Sequence, residues 1–147
     1  FRLFGGIMAT NLFDIANADV AMFVGTNPVL SHMPNMPQSN PLKRVRDAQQ
    51  RGMKVIVIDP RRCDVAKRAD IHLQIKPGED ATLLAGMIKI IIERKLYDRE
   101  YVESFVSGLN ELHEAVKDFD LEYVSRRAQV PAGRIASCDC SQEVCTT

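Results

Sequence analysis

Two short apolar runs, each followed at once by polar turn residues, constrain the fold of this 147-residue chain most strongly. Residues 20–24 lead into Gly25–Pro28, and residues 54–58 lead into Asp59–Arg62. A strand that is covered on both faces of a parallel sheet has such a continuous apolar sequence. The residues behind it lie at the carboxyl edge of the sheet, where α/β proteins bind nucleotides. Both runs therefore predict parallel strands that bring polar groups to one sheet edge.

The spacing of apolar residues predicts the other elements. Helices are expected over 42–51, 80–95, 98–105, 109–117 and 121–128, a short helix over 62–68, a third strand over 71–75, an irregular loop from Pro28 to Pro41, and a last helix beginning at Pro131. The longest helix is expected to face inward with Leu83, Leu84, Met87, Ile88, Ile91 and Ile92. Alternation of strands and helices is typical of a parallel sheet with right-handed crossovers. The predicted fold class is α/β, a Rossmann-like parallel sheet flanked by helices with a short helical C-terminal appendage.

The chain is expected to have three parts. Residues 1–97 would form a Rossmann-like nucleotide-binding domain, 98–136 a helical appendage of the same domain, and 137–147 an atypical cysteine-rich tail without regular structure. The chain begins with Phe rather than Met, and its apolar periodicity stops after Ala136. We interpret it as a fragment with a frameshifted or artificial end.

Charge and cysteine content narrow the classes of function. Nineteen basic residues balance nineteen acidic residues, so no overall field favours nucleic acid or a membrane surface. No apolar run approaches the ~20 residues that span a bilayer. The tail cysteines Cys138, Cys140 and Cys145 lack a fourth ligand and the usual two-residue spacing of a metal site. We therefore expect no metal site, no nucleic-acid partner and no membrane contact from this segment.

The polar turns contain the candidate binding residues. Gly25 allows a sharp turn and a close approach of the backbone to a ligand. Asn27 offers an amide that can bridge phosphate and backbone. Asp59 is placed to accept hydrogen bonds from ribose hydroxyls, and the adjacent Arg61 and Arg62 offer donors to phosphate or a purine. The alternative for Asp59 is a capping carboxylate beside two solvated arginines.

A third candidate turn begins the longest predicted helix. Asp80 is expected at its N-cap, where a carboxylate accepts backbone N–H groups. A carboxylate there can also accept both N–H groups of a guanine Watson–Crick edge. Among the histidines, only His32 is expected near a ligand, whereas His72 is interpreted as a core or edge residue and His113 as a surface residue. No pairing of nucleophile and base is present, so we predict a binding domain without catalytic residues.

The order and spacing of these segments resemble the molybdopterin oxidoreductases, the family of formate dehydrogenases, nitrate reductases and dimethyl sulfoxide reductase. The resemblance extends from about Gly5 to Ile135, and formate-dehydrogenase-like members are most similar. The segments that carry it are Thr10–Asp19, Phe23–Pro28, Val57–Asp70, Lys76–Ala85 and Leu96–Val102.

This resemblance implies a bis-(molybdopterin guanine dinucleotide) cofactor that holds molybdenum or tungsten. The residues that it implies for cofactor binding are Gly25, Thr26, Asn27 and Pro28 at the diphosphate and pterin-linked end, Asp59, Pro60, Arg61 and Arg62 beside the ribose and guanine, and Gly78, Glu79 and Asp80 over the guanine. In this interpretation Asp80 accepts from the base edge. The metal-ligating residue of the family lies upstream of this domain, so none is assigned here.

The resemblance also implies partners. The rest of the catalytic subunit and electron-transfer subunits would surround this domain, and an iron–sulfur cluster would belong to the parent enzyme without being bound by this segment. The compartment would be the cytoplasm or periplasm of a prokaryote. The segment by itself is expected to be inactive. The long loop after Pro28 and the cysteine-rich tail depart from the family pattern.

Two other interpretations are kept. The first is a non-redox nucleotide-binding domain of the thiamine-diphosphate-enzyme central-domain or sirtuin-like type. Such domains also have an apolar strand that ends in glycine and a later Ile-Asp-Pro, like the segments before Gly25 and at Ile58 in this chain. An ordinary NAD dehydrogenase is disfavoured because the chain lacks Gly-x-Gly-x-x-Gly. A preference for guanine over adenine nucleotides would distinguish the molybdopterin interpretation from the non-redox domain, because only the molybdopterin interpretation requires it. A truncated product that folds only partially is the remaining alternative.

Overall fold

The computed structural model describes residues 14–31 and 40–137, which contain three strands and a series of helices. The elements are β1 (Val20–Val24), α1 (Pro28–Ser31), α2 (Pro41–Gln50), β2 (Lys54–Ile58), a 3-10 turn (Ala66–Arg68), β3 (Ile71–Leu73), α3 (Asp80–Glu93), α4 (Arg99–Phe105), α5 (Leu109–Val116), α6 (Leu121–Ala128) and α7 (Ala132–Ser137). The strands form a parallel sheet in the order β1-β2-β3. The predicted α/β fold class is confirmed. The described residues divide into two compact units, the first ending at His72 and the second beginning at Leu73.

In the first unit, the sheet is built on the pairing of β1 with β2. The strands run parallel, in a register that pairs Val20 with Lys54 and Val24 with Ile58. The last four residues of β2 are all buried, as expected for a strand covered on both faces. β1 alternates instead, with Ala21 and Phe23 buried and the other three residues exposed. The expectation that both runs are fully buried is therefore wrong for β1, because it lies at the end of the strand order.

The core of the first unit lies between the sheet and α2. Val45 and Ala48 of α2 are buried, and Leu42 packs partly buried against the same cluster, which confirms the predicted inner face. Asn40 caps α2, since its Oδ1 accepts a hydrogen bond from the Lys43 N–H at 3.1 Å. The helix thus has a defined start and one apolar face.

In the second unit, α3 packs against α5, α6 and α7. The closest approach is at Gly86, where a Cβ atom would lie 2.7 Å from Cγ2 of Val124. Only glycine fits there without displacing α6. The buried hydrophobic residues among the described part of this unit are Leu73, Ile75, Leu83, Val116, Val124, Ala128, Val130 and Ile135.

The predicted inner face of α3 is only partly correct. Leu83 is fully buried, whereas Leu84, Met87, Ile88 and Ile92 are half-buried. Ile91 is 39% exposed, contrary to the prediction. Apolar residues of α3 lie on most sides of the helix, so their periodicity does not define one narrow buried stripe.

Other boundaries differ locally from the predictions. The loop expected from Pro28 begins with a helix that ends at Ser31, the third strand ends at Leu73, and the short helix over 62–68 is a 3-10 turn of three residues. The structure does not describe residues 1–13, 32–39 and 138–147, so the predictions for His32 and the tail cysteines lie outside it. The three-part division at residues 97 and 136 stays a prediction.

Candidate nucleotide site

The carboxyl ends of β1 and β2 are joined directly. The backbone N–H of Gly25 donates to the carbonyl of Ile58 at 2.8 Å, which continues the parallel pairing one residue past β1. Gly25 then turns with φ of +58°, a left-handed conformation that favours glycine. A Cβ atom at Gly25 would meet no described atom within 4 Å. Among the described residues, the turn therefore leaves open space beside an exposed backbone.

Asn27 orders the backbone that follows this turn. Its side chain is buried, and Oδ1 accepts a hydrogen bond from the Val29 N–H at 3.2 Å. Its carbonyl accepts from the N–H groups of Leu30 and Ser31, both at 3.0 Å. Asn27 thus starts α1, which explains the helix that the sequence prediction missed. Pro28 beside it is fully buried, and Thr26 is half-buried.

Asp59 is the first residue after β2, as Gly25 is the first residue after β1. Its residue is only 3% exposed, and Oδ1 accepts from the Arg61 N–H at 2.7 Å. Pro60, between them, is half-buried. The side chain of Arg61 is 80% exposed, with Nε 4.0 Å from Oδ1 of Asp59, and Arg62 is exposed as well. The turn thus combines a fixed, buried carboxylate with two arginine side chains that reach solvent.

His72 supports the turn after β2. The sequence prediction placed this residue only in the core or at an edge. Its Nε2 lies 2.9 Å from the backbone carbonyl oxygen of Asp59. A carbonyl can only accept, so Nε2 is the donor in this hydrogen bond. β3 thereby holds the residue that directly follows β2. Alternation within a strand does not reveal such a contact.

Asn27 and Asp59 are the buried polar or charged residues of the described chain. Burying such groups is costly unless they are hydrogen-bonded, and both are. They follow neighbouring paired strands in the first unit. The structure thus brings together two of the three predicted segments, Gly25–Pro28 and Asp59–Arg62, at one sheet edge.

The third predicted segment, Gly78–Asp80, lies in the second unit. Gly78 has φ of +89°, and a Cβ atom there would meet no described atom within 4 Å. Glu79, rather than the predicted Asp80, is at the N-cap of α3, and its side chain makes no capping bond. Asp80 is the first residue of the helix and is half-buried. The N-cap prediction is wrong by one residue because the turn extends through Glu79.

The carboxylate of Glu79 is instead held by side chains. It accepts from Oγ1 of Thr82 at 2.7 Å, and from Nη2 and Nε of Arg127 at 2.9 and 3.2 Å. The Thr82 hydrogen bond, and then the Arg127 guanidinium, hold the pKa of Glu79 below its ordinary value. Arg127 lies 48 positions along the chain, so no local pattern indicates this pairing.

The described residues contain no cluster of three metal-ligating side chains, and no described helix is long and apolar enough to cross a membrane. Cys63 is the free cysteine within the described chain and is half-buried.

Comparison with known proteins identifies the family of this chain. The family described as molybdopterin oxidoreductase matches residues 4–126. The match spans more than half of the chain, so the chain belongs to the molybdopterin oxidoreductase family. Membership in this family implies a molybdopterin cofactor.

Individual relatives agree with this assignment. The chain is 42% identical to acetylene hydratase of Syntrophotalea acetylenica over 120 residues, which are 82% of this chain and 16% of that protein. It is 37% identical to the F420-dependent formate dehydrogenase subunit alpha of Methanocaldococcus jannaschii over 123 residues, 82% of this chain and 17% of that protein. The solved structure of acetylene hydratase from Pelobacter acetylenicus matches with a TM-score of 0.76 and 36% identity, over 87% of this chain and 17% of that chain. The chain thus spans about a sixth of these relatives.

Proposed function

We propose that this chain is the part of a molybdopterin-dependent catalytic subunit that binds a guanine dinucleotide of a bis-(molybdopterin guanine dinucleotide) cofactor. The parent enzyme would be a formate-dehydrogenase-like oxidoreductase. The observation that carries the proposal is the pair of buried polar residues, Asn27 and Asp59, behind two paired parallel strands. This is the sheet edge at which α/β proteins bind nucleotides.

The residues of the first unit fit a diphosphate and a ribose. The open space beside Gly25 lets a ligand approach the backbone closely, and the amide of Asn27 adds donors at the same turn. Oδ1 of Asp59 is bound to the Arg61 N–H, and its second oxygen supplies an acceptor for ribose hydroxyls. The exposed guanidinium groups of Arg61 and Arg62 supply donors for phosphate or guanine. Thr26, Pro28 and Pro60 shape the backbone between these groups.

We assign the guanine base to the Gly78–Asp80 turn. Guanine presents two adjacent N–H donors on its Watson–Crick edge, which one carboxylate accepts together. Adenine cannot offer this pair. Asp80 is half-buried at the start of α3, which makes its carboxylate the proposed acceptor.

The parent enzyme supplies the rest of the chemistry. The bound cofactor would hold molybdenum or tungsten and would supply two-electron transfer, and an iron–sulfur cluster would belong to the parent enzyme without being bound by this chain. This chain contributes binding and orientation, and by itself we expect it to be inactive. Its partners would be the remainder of the catalytic subunit and electron-transfer subunits. Several relatives are named as alpha or catalytic subunits, in agreement with this arrangement.

Calorimetric titration of the 147-residue chain with GDP and with ADP tests the proposal. We expect measurable GDP binding and a clear preference over ADP. Asp59→Asn should weaken GDP binding about tenfold, because hydrogen bonds to a charged group are lost. Asp64→Asn is the matched control, since Asp64 is an exposed carboxylate paired with Lys67 on the same segment.

The other outcomes are equally informative. Equal binding of ADP and GDP, or preference for ADP, would support the non-redox nucleotide-binding alternative. Failure of either nucleotide to bind to a cooperatively folded chain would contradict the proposal.

A further inference from the structure

One arginine of α6 anchors the turn that precedes α3. Nη2 and Nε of Arg127 donate to the two carboxylate oxygens of Glu79, at 2.9 and 3.2 Å. Two parallel bonds between a guanidinium and a carboxylate fix orientation as well as distance. The Glu79 side chain is only 12% exposed, whereas that of Arg127 is 52% exposed. The carboxylate is thus covered while the arginine still faces solvent.

Two further contacts hold the same carboxylate and the same arginine. Oγ1 of Thr82, one turn into α3, donates to Oε2 of Glu79 at 2.7 Å. The Arg127 guanidinium lies 6.0 Å from the ring centre of Tyr123, within the range of a cation–π contact. Both carboxylate oxygens of Glu79 therefore accept hydrogen bonds from side chains of the protein.

The backbone of the turn is tied to the same end of α6. The Lys76 N–H donates to the carbonyl of Ala128 at 2.9 Å, and the Glu79 N–H donates to the carbonyl of Lys76 at 3.2 Å. Gly78, between these residues, has a left-handed φ. The turn is therefore joined to α6 by one backbone bond at its start and by the Glu79–Arg127 ion pair at its end.

We propose that Arg127 is a positioning residue, which holds the Gly78–Asp80 turn in the one geometry that presents the Asp80 carboxylate to a guanine base. Arg127 then acts through Glu79, whose carboxylate does not contact the nucleotide. The part that concerns guanine rests on the proposed function above. The part that concerns the order of the turn rests on the contacts alone.

Four variants of the 147-residue chain test this role. Arg127→Ala removes the ion pair, Arg127→Lys keeps the charge without the two-pronged geometry, and Glu79→Gln removes the negative charge. Arg126→Ala is the matched control, because Arg126 is the neighbouring exposed arginine of α6 and does not contact Glu79. Two quantities are measured for each variant: the hydrogen-exchange rates of the backbone amides of residues 79–83, and the affinities for GDP and ADP.

Arg127→Ala should raise amide exchange in the turn several-fold and weaken GDP binding about threefold to fivefold. The affinity for ADP should change less, so the ratio of the two affinities falls. A general loss of stability would not produce this change in specificity. Arg127→Lys and Glu79→Gln should fall between Arg127→Ala and the unmodified chain, and Arg126→Ala should match the unmodified chain.

The two proposals fail in different ways. If the unmodified chain binds no guanine nucleotide, the proposed function fails, and the exchange rates still decide whether Arg127 orders the turn. If Arg127→Ala leaves the exchange rates of residues 79–83 unchanged, the positioning role is overturned. It is also overturned if exchange rises while the ratio of GDP to ADP affinity stays the same.

Discussion

Nε2 of His72 lies 2.9 Å from the backbone carbonyl oxygen of Asp59, so a side chain of β3 anchors the first residue after β2. The same Asp59 uses its carboxylate to accept the Arg61 N–H. Its backbone and its side chain are thus both fixed. A binding group that is fixed before the ligand arrives loses less conformational entropy on binding.

His72→Phe should remove this anchor while keeping an aromatic ring on β3. We expect the free energy of unfolding to fall by about 1 kcal/mol, the typical net contribution of one hydrogen bond. GDP affinity should fall as well, since Asp59 is less well held. Urea denaturation and calorimetric titration measure the two effects. His113→Phe, at an exposed position of α5, should change neither.

Gly25→Ala tests the open space at the first turn. An alanine with φ near +58° costs about 1–2 kcal/mol of stability. Its Cβ atom meets no described atom, so the chain should still fold, but the methyl group would occupy space proposed for the ligand. GDP affinity should therefore fall. Gly52→Ala also places a side chain at a positive φ, +110°, after α2 and should leave the affinity unchanged.

Gly86→Ala should destabilise the second unit. The new Cβ atom would lie 2.7 Å from Cγ2 of Val124, which is fully buried. Overpacking of this kind costs about 1–3 kcal/mol. Thermal denaturation measures the loss, and the double variant with Val124→Ala should recover part of it. Gly133→Ala in α7 is the control, because its Cβ atom would meet no described atom within 4 Å. This variant should raise the stability of the chain slightly. Equal effects at Gly86 and Gly133 would contradict the packing argument.

Stability should depend on pH through Glu79. Hydrogen bonding from Thr82 and the charge of Arg127 lower its pKa in the folded chain below the ordinary 4.5. The stabilisation is therefore fully present above pH 4.5 and is lost as pH falls through the lower folded value. The difference in free energy of unfolding between the unmodified chain and Glu79→Gln should shrink as pH falls through that range. A difference that stays constant with pH would exclude this role for the carboxylate.

Much of the fold follows from local sequence. The bounds predicted for β1, β2 and α6 are those observed, because continuous apolar runs and a regular helical repeat are local signals. The polar turns behind the strands were predictable for the same reason: strand direction alone places their carboxyl ends at one sheet edge. The family was indicated by the order of these segments and is confirmed by comparison.

What the sequence determined by itself is the three strands, most of the helices, the α/β class and the position of Asn27 and Asp59 behind neighbouring strands. Only the tertiary structure decided which partners hold the candidate residues. His72 reaches Asp59 across 13 positions, and Arg127 reaches Glu79 across 48. It also decided that one face of β1 is exposed and that α3 needs glycine at position 86. Hydrogen bonds and packing between distant segments depend on where whole elements lie, and local periodicity does not record that information.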